Sequence, residues 1–410
     1  MKKIFIILLL LTVFIGISAV SAADNISSVD NALQANDALE AEDILDENGA
    51  DAISSVEEVD VISDSSEKNV PLQANESNDE PAKKVVQVPK KVKTKNIKST
   101  YGTKAKFTVK VYDKSGKSIA GQKVKIKIGK KAYKIKTDSD GVATLKLNYR
   151  SGKYTIKYTV GSISGKNTYT VKNKVTMTIL KWGNKGNVAK IRLLKKNMPN
   201  NKWVKKAVKA TKKGNPLLKF EGGKGKKVFI TAGVHGNELS SQVAVMKLIS
   251  RLSKKPIKGT VYIIPFVNIK AISHKVRHTG TDYNRVAHKS GTISNKIVKL
   301  VKKYDCDAYG DFHTTQPGGA PGQNIVMGSK SPAKKSADLT NYIAKHAKVH
   351  KRIYKYAGQD YPGALADNVN KKGIPAVICE VVLPHNTVTS SSVKISFNMM
   401  KAFLKFNSIA

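Results

Sequence analysis

Two histidines and two glutamates stand out because they lie at or just past the ends of predicted strands. Residues 228–238 read VFITAGVHGNE, a predicted buried strand that ends in a His-x-x-Glu turn carrying His235 and Glu238. His313 follows a predicted strand at 306–312, and Glu380 follows Ala376-Val-Ile-Cys379. An imidazole and a carboxylate at a strand's carboxyl end lie where open α/β sheets bind ligands. Two imidazoles and a carboxylate make a donor set for a divalent cation, and a catalytic zinc site takes three such ligands and leaves one position open. After Glu80 the chain holds only three glutamates, Glu221, Glu238 and Glu380, so two of the three stand at predicted strand ends. Taken alone, His235 and Glu238 read equally well as an ordinary helix start, where a glutamate is favourable.

The elements that must position these residues fill 223–410. Leu239, Val243, Met246, Ile249 and Leu252 recur on one helical face after the first strand. Strands are expected at 261–267, 306–312, 325–328, 353–356 and 376–379, with helices at 293–304, 336–347 and 388–406. This alternation predicts an α/β domain whose mixed sheet is flanked by helices. Arg277, Asn284 and Arg285 fall in the loop after the 261–267 strand, so one edge of the sheet would collect all the reactive groups. Glu380 resists a purely structural account, because an acid emerging from a buried strand needs a partner or a task. Arg277 also reads as surface solvation, Asn284 as a turn residue and His313 as a satisfied strand end. Of the other histidines, His274, His278 and His288 flank the Arg277 loop, whereas His346, His350 and His385 read as surface residues. Cys306 and Cys379 sit in predicted strands, either as a pair, if their Cα atoms come within about 7 Å, or as two buried thiols.

Residues 84–172 alternate Phe107, Val109 and Val111 with Lys106, Thr108 and Lys110, and Val124, Ile126 and Ile128 with Lys125 and Lys127. Turn signals at 113–116 and 138–141 separate such runs, as in a β-sandwich with one core face and one lysine face. The stretch Thr137-Asp-Ser-Asp-Gly-Val-Ala-Thr-Leu145 resembles bacterial immunoglobulin-like domains of invasins and archaeal adhesin-like surface proteins. That resemblance implies a spacer or binding module. Residues 173–222 read as a basic connector with a strand at 175–180, a short helix at 203–210, and Trp182 and Trp203 as packing residues.

The amino terminus predicts export. Lys2 and Lys3 precede an apolar run at 4–17, and small residues over 18–23 suit cleavage after Ala22 or Ala23. The run is shorter than the roughly 20 residues of a spanning helix. Residues 24–80 hold 17 Asp and Glu against one basic residue, Lys68, a net charge of −16 that predicts disorder through 24–83. Residues 81–410 carry +56. So basic a body attracts polyanions. Its charges are mostly lysines spread along strands, with no nucleic-acid motif, which points away from nucleic acid and toward an acidic cell-wall or surface polymer. Solubility alone is the other account of such a lysine halo.

His235-Gly-Asn-Glu238, Arg277, Asp282-Tyr-Asn284-Arg285, Asp311-Phe-His313-Thr-Thr and Glu380 resemble, in order, the motif succession of the zinc carboxypeptidase superfamily, closest to its succinylglutamate desuccinylase/aspartoacylase branch. The resemblance covers the C-terminal domain only. It implies one zinc ion on His235, Glu238 and His313, with Glu380 exchanging protons and Arg277 polarising the scissile carbonyl. It also implies that Asn284 and Arg285 grip a substrate carboxylate, that Asp282 orients the first ligand histidine, and that Tyr354 caps the substrate, with Tyr356 and Tyr361 as alternatives. The expected protein is a secreted, wall-associated zinc amidohydrolase that cuts an amide beside a free carboxylate in cell-wall peptides. Two competing expectations are an N-acyl amino acid deacylase and a non-catalytic surface adhesin.

Overall fold

The computed structural model describes residues 87–410. The predicted leader at 1–23 and the acidic segment at 24–83 lie outside the described residues. Among those described, no helix is long and apolar enough to cross a membrane.

The first eight strands are β1 (Lys91–Lys93), β2 (Ile97–Thr100), β3 (Ala105–Tyr112), β4 (Lys123–Ile128), β5 (Lys131–Lys136), β6 (Val142–Leu147), β7 (Gly152–Val160) and β8 (Ile163–Lys172). They form a three-stranded sheet of order β1-β3-β6 and a five-stranded sheet of order β2-β8-β7-β4-β5. The strict period of two along β4 buries Val124, Ile126 and Ile128 and exposes the lysines between them. Those side chains share one core with Phe107, Val109 and Val111 of β3 and Ile156 and Val160 of β7.

The chain then runs into a third sheet through β9 (Lys174–Leu180), α1 (Arg192–Lys196), α2 (Lys202–Ala210) and β10 (Asn215–Glu221). The rest is β11 (Lys227–Ala232), α3 (Leu239–Leu252), β12 (Thr260–Ile264), α4 (Ile269–His274), α5 (Ile293–Lys303), β13 (Ala308–Thr315), β14 (Ile325–Ser329), α6 (Lys335–Ala347), β15 (His350–Tyr354), α7 (Leu365–Asn370), β16 (Ala376–Val382) and α8 (Ser390–Phe406). The eight strands order as β15-β14-β16-β13-β11-β12-β10-β9. Pairings among β12, β11, β13 and β16 are parallel, and those of β10 with its two neighbours are antiparallel, so the sheet is mixed.

Residues 174–221 are therefore no tether. β9 pairs with β10 over their whole lengths and extends the sheet by two strands. Lysines and threonines alternate with the apolar residues of β9, and Pro216 sits where β10 pairs with β9 alone, so neither reads as a buried strand.

Helices α3, α6 and α8 pack on one face of the sheet around Val228, Ile230, Phe312 and Val377. On the other face Ile297 and Val301 of α5 and Leu365 and Val369 of α7 meet Phe229 and Tyr309. Each fully buried aliphatic side chain of these layers contributes about 1.5–3 kcal/mol, which gives the central strands a rigid seat. Cys306 and Cys379 are both free and buried.

Candidate metal centre

His235 and Glu238 sit in the turn between β11 and α3, which the sequence shapes closely. Gly233 adopts a φ of +69°, a left-handed conformation suited to glycine. A Cβ on Gly236 would lie 2.2 Å from the backbone of Ala271, so only glycine lets the turn press against α4. The Gly236 N–H donates to the Arg277 carbonyl at 2.9 Å, tying the arginine loop to the same turn. His313 lies on β13 in register with Glu380 on the parallel neighbour β16. Three predicted strand ends thus meet at one edge of the sheet.

The Glu238 carboxylate stands between the two imidazoles. Its Oε1 is 2.6 Å from His235 Nδ1, and its Oε2 is 2.9 Å from His313 Nδ1. The Thr314 N–H donates to Oε2 at 3.1 Å. All three side chains are buried, and their ligand atoms lie within 4.8 Å of one another. Burial opposes ionisation of Glu238, but the two imidazoles outweigh it and hold the carboxyl well below its ordinary range.

Each imidazole is backed by a carboxylate on its far nitrogen. His235 Nε2 is 3.1 Å from Asp282 Oδ1, and the same oxygen accepts the Asn284 N–H at 2.8 Å. Burial resists ionisation of Asp282 as well, yet His235, that N–H and Arg277 lower its pKa. His313 Nε2 lies 3.0 Å from Asp311 Oδ2, and neither atom finds an aligned hydrogen bond. Asp311 Oδ1 accepts from Thr231 Oγ1 at 2.7 Å, and Thr231 in turn meets the Tyr309 hydroxyl. Burial depresses the His313 pKa, but Asp311 and Glu238 outweigh it and hold it well above the ordinary value. Carboxylates behind ligand histidines fix ring orientation and raise ligand basicity. Asp311 received no role from the sequence. The available signal was its i, i+2 spacing from His313, which puts both on one face of a strand. Substituting Asp311 by Asn is expected to weaken zinc binding about 10–100-fold while the ligands stay intact, measured by competition with a chromogenic chelator.

His235 and Glu238 line a cavity of about 210 Å³, with His313 fully buried against Glu238, and the cavity also collects Arg277, Asn284, Arg285, Tyr361 and Glu380. Glu380 Oε2 is shielded from solvent without a hydrogen-bond partner. Burial pushes the Glu380 pKa up to about 8; His313 opposes that rise and the Glu238 charge adds to it. Arg277 lies 3.4 Å from both Glu238 Oε1 and Asp282 Oδ2 and keeps a partly exposed guanidinium at the mouth. Asn284 Oδ1 accepts the Leu365 N–H at 2.8 Å, so its amide nitrogen is the group left for a ligand. Arg285 donates to the Asn284 carbonyl at 2.9 Å and stacks over Tyr361, 5.4 Å from the ring centre.

Two expectations change here. Tyr354 ends β15 with its ring in the core, only 8% exposed and facing Met327 Sδ at 3.5 Å, so it does not line the cavity. Tyr361, in the loop that follows, takes that place. His385 also lines the cavity, its Nε2 donating to the Thr314 carbonyl at 3.2 Å, although its place after Pro384 suggested surface. His274, His278 and His288 do not line it.

The donor set fits a divalent cation. Two Nδ1 atoms and a carboxylate converge, both rings are oriented from behind, and an unpartnered acid faces the same cavity.

No curated protein is significantly similar to the chain. Among solved structures, an aspartoacylase family protein from Mesorhizobium loti is 17% identical over 58% of this chain and 68% of its own, with a TM-score of 0.41. Succinylglutamatedesuccinylase/aspartoacylase from Rhodobacter sphaeroides is 22% identical over 48% of this chain and 59% of its own, with a TM-score of 0.38. Helicobacter pylori Csd4, a D,L-carboxypeptidase, is 18% identical over 45% of this chain and 52% of its own, with a TM-score of 0.38. The chain thus spans less than two thirds of the last two. Residues 224–319, which carry His235, Glu238, Arg277, Asp282, Asn284, Arg285, Asp311 and His313 but not Tyr361, Glu380 or His385, match the family model described as succinylglutamate desuccinylase/aspartoacylase catalytic domain.

Proposed function

We propose that this is an exported, wall-associated zinc hydrolase that cuts an amide bond beside a free carboxylate in the peptides of an acidic cell-wall polymer. The observation that carries the reading is the buried cluster of His235, Glu238 and His313, two of whose members open with Glu380 onto one cavity that also holds two arginines. A zinc ion on the first three would supply Lewis acidity and lower the pKa of water to about 7.

The chain's own groups account for the rest. Glu380 Oε2 takes a proton as water adds to the carbonyl carbon, then gives it to the amine as the C–N bond breaks. Its shielded position suits it to both roles. Arg277 stabilises negative charge on the carbonyl oxygen. The Arg285 fork and the Asn284 amide nitrogen hold the substrate's free carboxylate, and Tyr361 keeps the Arg285 guanidinium in place from the opposite side. Residues 84–172 serve in this reading as an immunoglobulin-like module that keeps the enzyme at its substrate.

The small cavity also supports an N-acyl amino acid deacylase. Initial rates on peptides with a free C-terminus and on N-acyl amino acids separate the two. The zinc-loaded full chain is expected to release amino acids from the peptides at least ten times faster. The reverse preference would transfer the site to deacylation, and turnover of neither would leave a non-catalytic surface protein.

A further inference from the structure

The five-stranded sheet turns a face of one charge sign to solvent. Strand register sets Lys134 opposite Lys125, and aligns Lys127, Lys157 and Lys166 in one row across β4, β7 and β8. All five are exposed. Neighbouring strands are about 4.8 Å apart, and like charges directly opposite one another destabilise a sheet. Glutamates at alternate positions would have relieved that repulsion, yet the outward positions of these strands hold only lysine, threonine, serine and alanine.

Among the described residues nothing nearby neutralises the face. Residues 87–172 contain 22 lysines and one arginine against Asp113, Asp138 and Asp140. Asp113 accepts the N–H groups of Ser115 and Lys117, and Asp138 accepts those of Asp140 and Val142, so both are used in turns. Among the described residues no lysine of this face joins an ion pair. At the end of the row lies an open groove of about 450 Å³ lined by Lys127, Gly129, Lys153, Tyr154, Thr155 and Lys157.

We propose that this face is the docking surface for a linear polycarboxylate. Repulsion built into the sheet is relieved when an anionic chain lies across the rows, so complementarity of charge selects the occupant. Ammonium groups are compact point charges that read charge density without demanding one geometry. Apart from Tyr154 at the groove, whose ring is already packed against Tyr149 and Tyr169, the face offers no aromatic ring, whereas single-stranded nucleic acid is held largely by base stacking on such rings. The proposal deepens the polymer substrate class given above and rests on that reading only for the choice of carboxylate.

The test is equilibrium binding of poly-L-glutamate to the full chain, read by fluorescence anisotropy. One variant carries Lys125, Lys127, Lys134, Lys157 and Lys166→Gln. A control carries Lys91, Lys93, Lys106, Lys110 and Lys146→Gln on the three-stranded sheet. Wild-type affinity is expected to fall about 100-fold between about 50 and 200 mM salt, as release of counterions from some five contacts requires. The first variant should bind at least ten times more weakly at the lower salt, and the control within threefold of wild type. Equal losses in both variants, no loss in the first, or tighter binding of oligodeoxythymidine than of polyglutamate would overturn the assignment. Melting curves establish that both variants fold. Binding is read without turnover, so Glu380→Gln protein must bind like wild type, and failure here would leave the hydrolytic reading standing.

Discussion

Replacing Glu380 by Gln is expected to cut turnover about 10²–10⁴-fold, the usual worth of a positioned proton-transfer group, while the protein keeps its full complement of zinc. The amide has nearly the volume of the acid, so β16 and its register with β13 are undisturbed. What disappears is the only carboxylate in the cavity that neither contacts an imidazole nitrogen nor backs one. The loss should fall on kcat for peptides and N-acyl amino acids alike, because the same proton must move whichever amide is cut. Activity surviving at wild-type level would remove Glu380 from the chemistry.

The substitution Glu238→Gln should have a different signature. Glu238 is the one carboxylate shared by both imidazoles, at 2.6 and 2.9 Å. Removing one partner from a buried charged group costs about 3–5 kcal/mol, because His235 and His313 then face each other and their own backing aspartates without the central anion. Zinc affinity should fall by more than the roughly 100-fold ceiling for an outer partner such as Asp311, and turnover should fall with it. Turnover and metal content are thus coupled in this variant and uncoupled in Glu380→Gln, a contrast that loss of fold alone does not produce.

The sequence exposes those parts of the site where chemistry interrupts an apolar run. β11 and β16 are buried on both faces and show as hydrophobic stretches, so His235 just past the one and Glu380 interrupting the other are conspicuous, as is the imidazole of His313 in the fully buried β13. Asp311 escapes because it is equally buried inside β13, where the exceptional residue is not the last one. Tyr361 stands only as an alternative to Tyr354, and His385 escapes, because both belong to loops, whose path depends on packing that no local period encodes. Tyr354 is misplaced because it closes β15 with its ring packed in the core, which leaves the loop after it to supply the cavity's tyrosine. β9 is legible as a strand at 175–180, whereas β10, with its proline, escapes, and tertiary pairing alone joins the two to the sheet.

The central claim is that two imidazoles and one carboxylate from separate elements hold a single ion. Its most direct test is the zinc content of the purified wild-type protein measured beside that of Glu238→Gln by elemental analysis after dialysis. One equivalent in the wild type and essentially none in the variant is the predicted result. Equal zinc in the two proteins, or none in the wild type after incubation with excess metal, would contradict it.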